Sequence, residues 1–429
     1  MHIAMIHLSN NGFPPDIRIV KEARALAAAG HHITICTKKT ADHPEESEAF
    51  EPGIDILRAE VTGPPSWFQK RRANFTLREA WVKPVVEQFL DRCRPDIVHV
   101  HDFPYLPLVL DCAGPRGLPV VADFHENMPA AKRAWRSNLR PLMRLKASIL
   151  FNYPMWQWHE KKALKKCERV IVVVPEAAER FARYQIPSDM VTIVSNTEDE
   201  TTFNYPAEQA SEAILKRYEE RWMVSFIGGI GPHRGWDTAL ECAALAVHTI
   251  PNFLLTFVGT DNSNAAMIRN RAKALGVSNA VETINWQPFE SVNSYIHASR
   301  VCLVPHNDFE HTQTTVPHKL FQYMICEKPI LVSDCRPLKR IVEDADAGFV
   351  FKCNDARDMC SQLEFIHANP ELARLRARNG RKAALGKYAW SHDAERLVTM
   401  YAELGRPGVA SAIRMDADGR ERTNQADAT

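Results

Sequence analysis

Short apolar runs alternate with longer amphipathic stretches along nearly the whole chain, and this rhythm restricts the fold more than any other feature. Ile97-Val98-His99-Val100 and Val170-Ile171-Val172-Val173-Val174 are continuous runs, not apolar/polar alternations. Strands covered on both faces read this way, which points to parallel sheets between layers of helix. The expected strands of the first half are His2–Leu8, His32–Thr37, Ile54–Glu60, Asp96–Asp102, Pro119–His125, Arg169–Val174 and Val191–Ser195. The segments between them are long enough for crossover helices. In Ile17–Ala29, residues Ile17, Val20, Ala23 and Ala27 share one face, and Gly30 supplies a stop.

A polar stretch from Glu198 to Glu212 interrupts the rhythm, which then restarts. Strands are expected at Met223–Ile227, Asn252–Val258, Val281–Trp286, Arg300–Pro305, Pro329–Ser333 and Phe349–Phe351. Helices are expected at Trp236–His248, Asn264–Leu275, Phe289–Ala298, Lys319–Ile325 and, after Trp390, Asp393–Leu404. The expected fold class is α/β: two successive doubly wound domains, residues 1–200 and 201–388, facing a central cleft where open α/β sheets bind ligands. Residues 406–429 are small, polar and charged without apolar period, and are expected to be a disordered tail.

A chain of 429 residues exceeds one hydrophobic core, in keeping with two domains. Lys and Arg number 53 against 52 Asp and Glu, so no global polyanion-binding signature exists and nucleic acid is not an expected partner. No apolar run reaches the roughly 18 residues of a membrane span. Met1–His7 lacks a basic leader and cleavage site, so a cytoplasmic protein is expected. The ten cysteines form no C-x-x-C, and Cys36, Cys242, Cys302 and Cys326 sit in or beside apolar runs, as reduced core thiols do.

The strongest chemical signal is Met223-Val-Ser-Phe-Ile-Gly-Gly-Ile-Gly-Pro-His-Arg-Gly-Trp-Asp237. A strand ends in Gly228, Gly229 and Gly231, and a helix opens near Arg234-Gly235. Glycines allow a tight turn and close ligand approach, the helix N-terminus offers free N–H groups to phosphate, and Arg234 can pair with a phosphate oxygen. A tight βα turn without ligand is the plainer alternative. A nicotinamide-binding turn fits poorly: the glycines run G-x-G-x-x-x-G from Gly229 to Gly235, and Asp261 lies beyond the roughly 20-residue spacing of that fingerprint.

In His311-Thr-Gln-Thr-Thr-Val-Pro-His-Lys-Leu-Phe-Gln-Tyr-Met324, Thr314 and Thr315 can offer hydroxyls and N–H groups to an anion and Lys319 a second cation; alternatively Thr merely caps a surface helix. Asp123-Phe-His-Glu-Asn127 ends a buried strand and brings His125 and Glu126 to the cleft mouth, as a proton carrier, a donor to a sugar hydroxyl, or a capped strand end. His99-x-His101-Asp102 puts two histidines on one strand face, but no third ligand follows at a telling spacing, and no metal is expected. Asp344-Ala-Asp346 follows a helix and reads as a solvated turn. Lys132–Lys166 carries ten Lys or Arg, one acid (Glu160), and Trp135, Phe151, Trp156 and Trp158. With Trp67-Phe-Gln-Lys-Arg-Arg72, it fits either an anionic membrane surface or basic side chains over a buried aromatic face.

In combination these stretches resemble the GT-B glycosyltransferases, specifically the retaining family 4, over nearly everything up to about residue 405. The resemblance rests on Phe13–His31, Arg94-Pro-Asp-Ile-Val-His-Val-His-Asp102, Asp123-Phe-His-Glu126, Gly228-Gly229…Arg234-Gly235, Pro317-His-Lys-Leu-Phe-Gln-Tyr-Met324 and the closing Tyr388-Ala-Trp390. It implies two Rossmann-like domains, with a helix at 389–405 crossing back to the first. It also implies transfer of a sugar from a nucleotide donor, of UDP or GDP type, held by the second domain, with retention and without metal or other cofactor. Arg234 and Lys319 would carry the pyrophosphate and His125 would lie beside the sugar. Gly12, Gly228, Gly229, Gly231, Thr314, Thr315, Val316 and Gln322 would complete the donor site. Asp16, Arg18 and Glu126 are acceptor-side candidates. The acceptor would be a glycan, a lipid-linked sugar or a small molecule, with peripheral contact to the inner membrane face through 132–166.

Two features depart from the family pattern, at three positions. Its glutamate pair, eight positions apart, falls on Thr314 and Gln322, and Gly229 stands where an arginine is common. Gln322 can still serve ribose hydroxyls as a neutral amide, and a glutamate there is expected to hold nucleotide equally well or better. A nucleotide-sugar epimerase of similar fold and a non-catalytic nucleotide-binding subunit are the alternatives.

Overall fold

The computed structural model describes residues 1–8, 13–14, 16–64, 66–137, 143, 152–200, 203 and 206–405. The expected tail and Gly12 lie outside the described residues. The strands are β1 (His2–His7), β2 (His32–Lys38), β3 (Ser47–Glu51), β4 (Ile54–Ala59), β5 (Ile97–His101), β6 (Val120–Phe124), β7 (Arg169–Val172) and β8 (Val191–Ile193) in the first domain. In the second they are β9 (Trp222–Ile227), β10 (Phe253–Thr260), β11 (Val281–Asn285), β12 (Val301–Val304), β13 (Ile330–Ser333) and β14 (Phe349–Phe351).

The first sheet has the order β3-β4-β2-β1-β5-β6-β7-β8 and the second β11-β10-β9-β12-β13-β14. Every neighbouring pair is parallel except β3 on β4. That edge strand corrects the expectation of parallel strands alone. Ser47-Glu-Ala-Phe-Glu51 carries two acids and has no fully buried residue, so it leaves no apolar pattern, and its charge suits an unpaired edge. The continuous apolar runs do sit at the sheet centres: Ile3, Val98, Val121 and Ile171 in one, Val224, Phe257 and Leu303 in the other, all at most 1% exposed.

Strand order reverses beside β1 and beside β9, the switch points at which such sheets open a crevice. The two crevices face each other. Thr315 Oγ1 of the second domain donates to the His125 carbonyl at 3.1 Å, and Trp135 meets the His233 ring edge-on at 6.2 Å.

The last helix spans Trp390–Leu404, beginning one turn before the expected Asp393. It packs on the Ile17–Ala28 helix and β8, and Tyr401 hydroxyl lies 2.8 Å from His99 Nδ1. Asp393, buried in its first turn, accepts from Ser195 N at 2.8 Å and Thr197 Oγ1 at 2.6 Å. The chain thus returns to the first domain and ties down the connector between the two.

Candidate active site

On the second-domain side, β9 runs into Gly228, whose φ of +104° suits glycine. A Cβ there would meet Lys319 Nζ at 3.6 Å and Arg234 Nη1 at 3.9 Å, so both cations crowd this turn. Gly235, at φ +67°, has no alternative: a Cβ would fall 1.6 Å from the Pro305 carbonyl oxygen. It precedes the Trp236–Ala246 helix, whose N-terminus has no side-chain cap. Arg234 Nη1 donates to the Gly229 carbonyl at 3.0 Å.

Lys319 arrives from the first turn of the His318–Ile325 helix and is 8% exposed. Its Nζ lies 4.5 Å from the Phe226 ring centroid and has no hydrogen-bond partner among the described residues. Burial, then the neighbouring Arg234, pushes its pKa well below the ordinary value. Two cations with no acid between them, at an uncapped helix N-terminus, form a site that gains from an arriving anion. His233, His306 and His311 surround them, and none was singled out in the sequence. Burial lowers all three, His233 to about 3, so they are neutral and add no charge.

The first-domain side has the same kinds of residue but pairs them. Arg18, 2% exposed, contacts Glu22 and Asp123 at 2.9 Å each and donates to Val194 O at 3.0 Å and Asn196 Oδ1 at 3.1 Å. This corrects its acceptor-side assignment: its guanidinium is spent inside the protein. Asp16 is likewise the N-cap of Ile17–Ala28, accepting from Arg18 N and Ile19 N. His125 Nε2 lies 2.6 Å from Asp123 Oδ2, and its Nδ1 3.8 Å from Asp102. Burial alone would lower His125, but Asp123 and Asp102 outweigh it and hold it at about 9, so it is an imidazolium at neutral pH. Burial raises Glu22 to about 8 against the pull of Arg18. Glu126 bears electrostatically on Arg234 and His311 across the cleft.

The H-x-H strand face does have further ligand-type neighbours, which corrects the expectation of none. Ligand atoms of Glu22, His99, His101 and Asp123 all lie within 4.8 Å of one another. They come from three elements distant in sequence. The donor set suits a divalent ion, but Arg18 already lies against both carboxylates and supplies the cation that they require.

The Thr-Thr stretch differs from expectation. Thr314 Oγ1 donates to the Glu310 and His311 carbonyls at 3.0 and 3.2 Å, and Thr315 Oγ1 to His125, so neither hydroxyl is offered to an anion. Nor does either cap the following helix, whose N-cap is Pro317. Val316 is buried, its carbonyl accepting from Asn196 Nδ2 at 2.8 Å. Gln322 Nε2 donates to Glu198 Oε1 at 3.0 Å, and Glu198 was not singled out either: it lies in the polar connector, where sequence offers no period to read. Asp344 binds Lys387 and Tyr388 and Asp346 binds Arg376, a solvated turn remote from the cleft. A hollow of about 410 Å³ lined by Arg221, His248 and Asn252 lies at the other end of the second sheet's strands and carries none of this chemistry.

Residues 17–200 match the family model described as Glycosyltransferase Family 4, and residues 207–383 the one described as Glycosyl transferases group 1. A D-inositol 3-phosphate glycosyltransferase of Thermobispora bispora is 22% identical over 403 residues, 90% of this chain and 89% of the relative. Another, of Streptosporangium roseum, is 23% identical over 401 residues, 90% and 87% of the two chains. Among solved structures, sucrose-phosphate synthase from Thermosynechococcus elongatus has a TM-score of 0.75 at 18% identity, covering 94% of this chain and 98% of that one. Anabaena HepE in complex with UDP-glucose has a TM-score of 0.67 at 12% identity, covering 94% and 100%. At these identities the structural likeness is one of fold.

Proposed function

The chain is a GT-B glycosyltransferase of the family 4 type, and from that premise we propose that it takes its sugar from a nucleoside diphosphate sugar whose diphosphate sits between Arg234 and Lys319. One observation carries the reading: the Lys319 ammonium is buried with no hydrogen-bond partner among the described residues, beside Arg234 and at a helix N-terminus without a side-chain cap. A departing diphosphate gathers negative charge as the glycosidic bond breaks. Fixed cations in a water-poor site stabilise that charge without reorganising. They also take over the role of a strong acid or a divalent ion, which favours a metal-independent reaction; retention of configuration rests on the resemblance to the retaining family alone. The His125 imidazolium, held by Asp123, donates to a hydroxyl of the transferred sugar. The UDP-glucose named with the HepE structure supports the donor class.

The acceptor approaches from the first domain and is a phosphorylated polyol, a glycan or a lipid-linked sugar; the inositol phosphate named for the relatives supports the first. An exposed surface of aromatic and basic side chains supports the last. Trp67, Phe68 and Trp158 are 71%, 70% and 56% exposed, on two helices joined by His159 Nε2 donating to Phe75 O at 2.8 Å. Exposed Lys70, Arg71, Arg72, Lys162, Lys165 and Lys166 surround them, as on proteins that lie on anionic lipid. Trp135, from the same basic segment, serves the cleft instead. The chain then works at the cytoplasmic membrane face; no helix among the described residues is long and apolar enough to cross a membrane.

A melting panel of UDP-, GDP-, ADP- and TDP-sugars tests the donor class. A ligand at about 100 times its Kd should stabilise the fold by about 2.7 kcal/mol. NAD should give no shift, and a selective NAD response contradicts the reading.

A further inference from the structure

The helix that delivers Lys319 and Gln322 rests on a carboxylate of the connector. Glu198 is 2% exposed, its Oε1 accepts from Gln322 Nε2 at 3.0 Å, and the same oxygen lies 3.1 Å from His318 Nδ1. A carboxylate can only accept, so Gln322 must turn its NH₂ to Glu198, which leaves its carbonyl oxygen as the acceptor, and one further N–H, that it can offer elsewhere. The connector is pinned on the other side as well. Lys21 Nζ donates to Thr197 O, and Asp393 holds Ser195 N and Thr197 Oγ1. Lys21 also lies within electrostatic reach of Glu198. Glu198 therefore stands where the first domain, the last helix and the nucleotide-side helix meet.

We propose that Glu198 is the positioning residue of the nucleotide site: from the connector it supplies the carboxylate that position 322 lacks, and it fixes which atom of Gln322 meets the ribose hydroxyls. The inference rests on the donor reading above. It makes residues 198 and 322 a matched acid–amide pair, one from each side of the domain junction. It also reverses the sequence-based expectation for Gln322→Glu, because that exchange alone puts two buried carboxylates about 3 Å apart, where like charges cannot both ionise cheaply. Exchanging both residues restores one acid and one amide.

The test is calorimetry of UDP and GDP and their 2′-deoxy counterparts on the full chain, in wild type, Glu198→Gln, Gln322→Glu and the double exchange. Wild type should prefer the ribose form. Each single exchange should weaken the ribose form by about tenfold and shrink that preference, through a lost or misdirected polar contact. The double exchange should recover to within about threefold of wild type, a rescue that loss of packing alone cannot give. Should Gln322→Glu fail to fold, the Glu198→Gln protein and the double exchange still read the preference. Binding and ribose preference unchanged in Glu198→Gln, or a double exchange no better than the weaker single, overturns the inference while leaving the donor site standing. A wild-type protein that binds no nucleoside diphosphate overturns the donor site and this inference together.

Discussion

The two walls of the cleft use charge in opposite ways. On the first-domain wall, Arg18, Glu22, Asp123 and His125 neutralise one another within hydrogen-bond distance, all in the buried interior or at its edge. On the second-domain wall, Lys319 and Arg234 have no carboxylate in salt-bridge contact among the described residues, and the histidines around them are neutral. A closed charge network holds a shape. An open one stores the cost of burying a cation until an anion arrives to offset it. The difference separates the two walls more sharply than burial does, since Arg18 and Lys319 are both nearly inaccessible.

Removing the central cation of each wall should therefore have opposite effects on the fold, and this is the largest expected contrast. Arg18→Met removes the guanidinium that contacts both Glu22 and Asp123, leaving the His125 imidazolium against Asp123 and nothing cationic in contact with Glu22 among the described residues. It should cost about 3–5 kcal/mol in denaturant unfolding. Lys319→Met removes an unpaired buried ammonium and should leave stability unchanged or raised. Equal destabilisation by the two exchanges breaks the comparison.

Turnover should separate the walls next. Each charge-assisted bond to a leaving diphosphate is worth roughly 1.5–3 kcal/mol, so Lys319→Ala or Arg234→Ala should lower kcat/KM by about one to two decades. Normal kinetics in both variants would remove these residues from the reaction.

A smaller effect sharpens the picture of the paired wall through pH. The folded-state value of His125, about 9, lies above the ordinary 6.5. Its contribution to stability is therefore complete below about 6.5 and is lost as pH rises through about 9. Urea midpoints taken from pH 6 to pH 10 should show that decline in wild type and not in His125→Gln; parallel profiles contradict it.

The smallest effect belongs to the outer face. Trp67→Ala with Trp158→Ala should leave melting and activity on a soluble acceptor nearly unchanged, and reduce sedimentation with anionic liposomes at low salt. Equal recovery with neutral and anionic vesicles returns these tryptophans to ordinary surface.

Sequence made the sheets legible because a parallel strand is apolar on both faces, and it made the Gly228–Gly235 turn legible because glycine marks a strand-to-helix turn directly. It hid whatever depends on contacts between distant segments. His99 and His101 were visible, but Glu22 and Asp123 reach them only once the first helix and β6 are in place. The Thr314 and Thr315 hydroxyls look free in one dimension and are taken by local and cross-domain carbonyls. Strand β3 has no apolar period, and Glu198 sits in a connector without one. Arg18 is an acceptor-side candidate on the family resemblance, whereas in the structure its charge meets carboxylates up to 105 positions away.

The measurement that bears most directly on the open wall is calorimetric titration of UDP and GDP into wild type, Lys319→Met and Arg234→Met. Binding of a nucleoside diphosphate to wild type, weakened by roughly tenfold or more in each variant while both remain folded, is the expected result. Undiminished affinity in both variants would contradict it and place the nucleotide elsewhere.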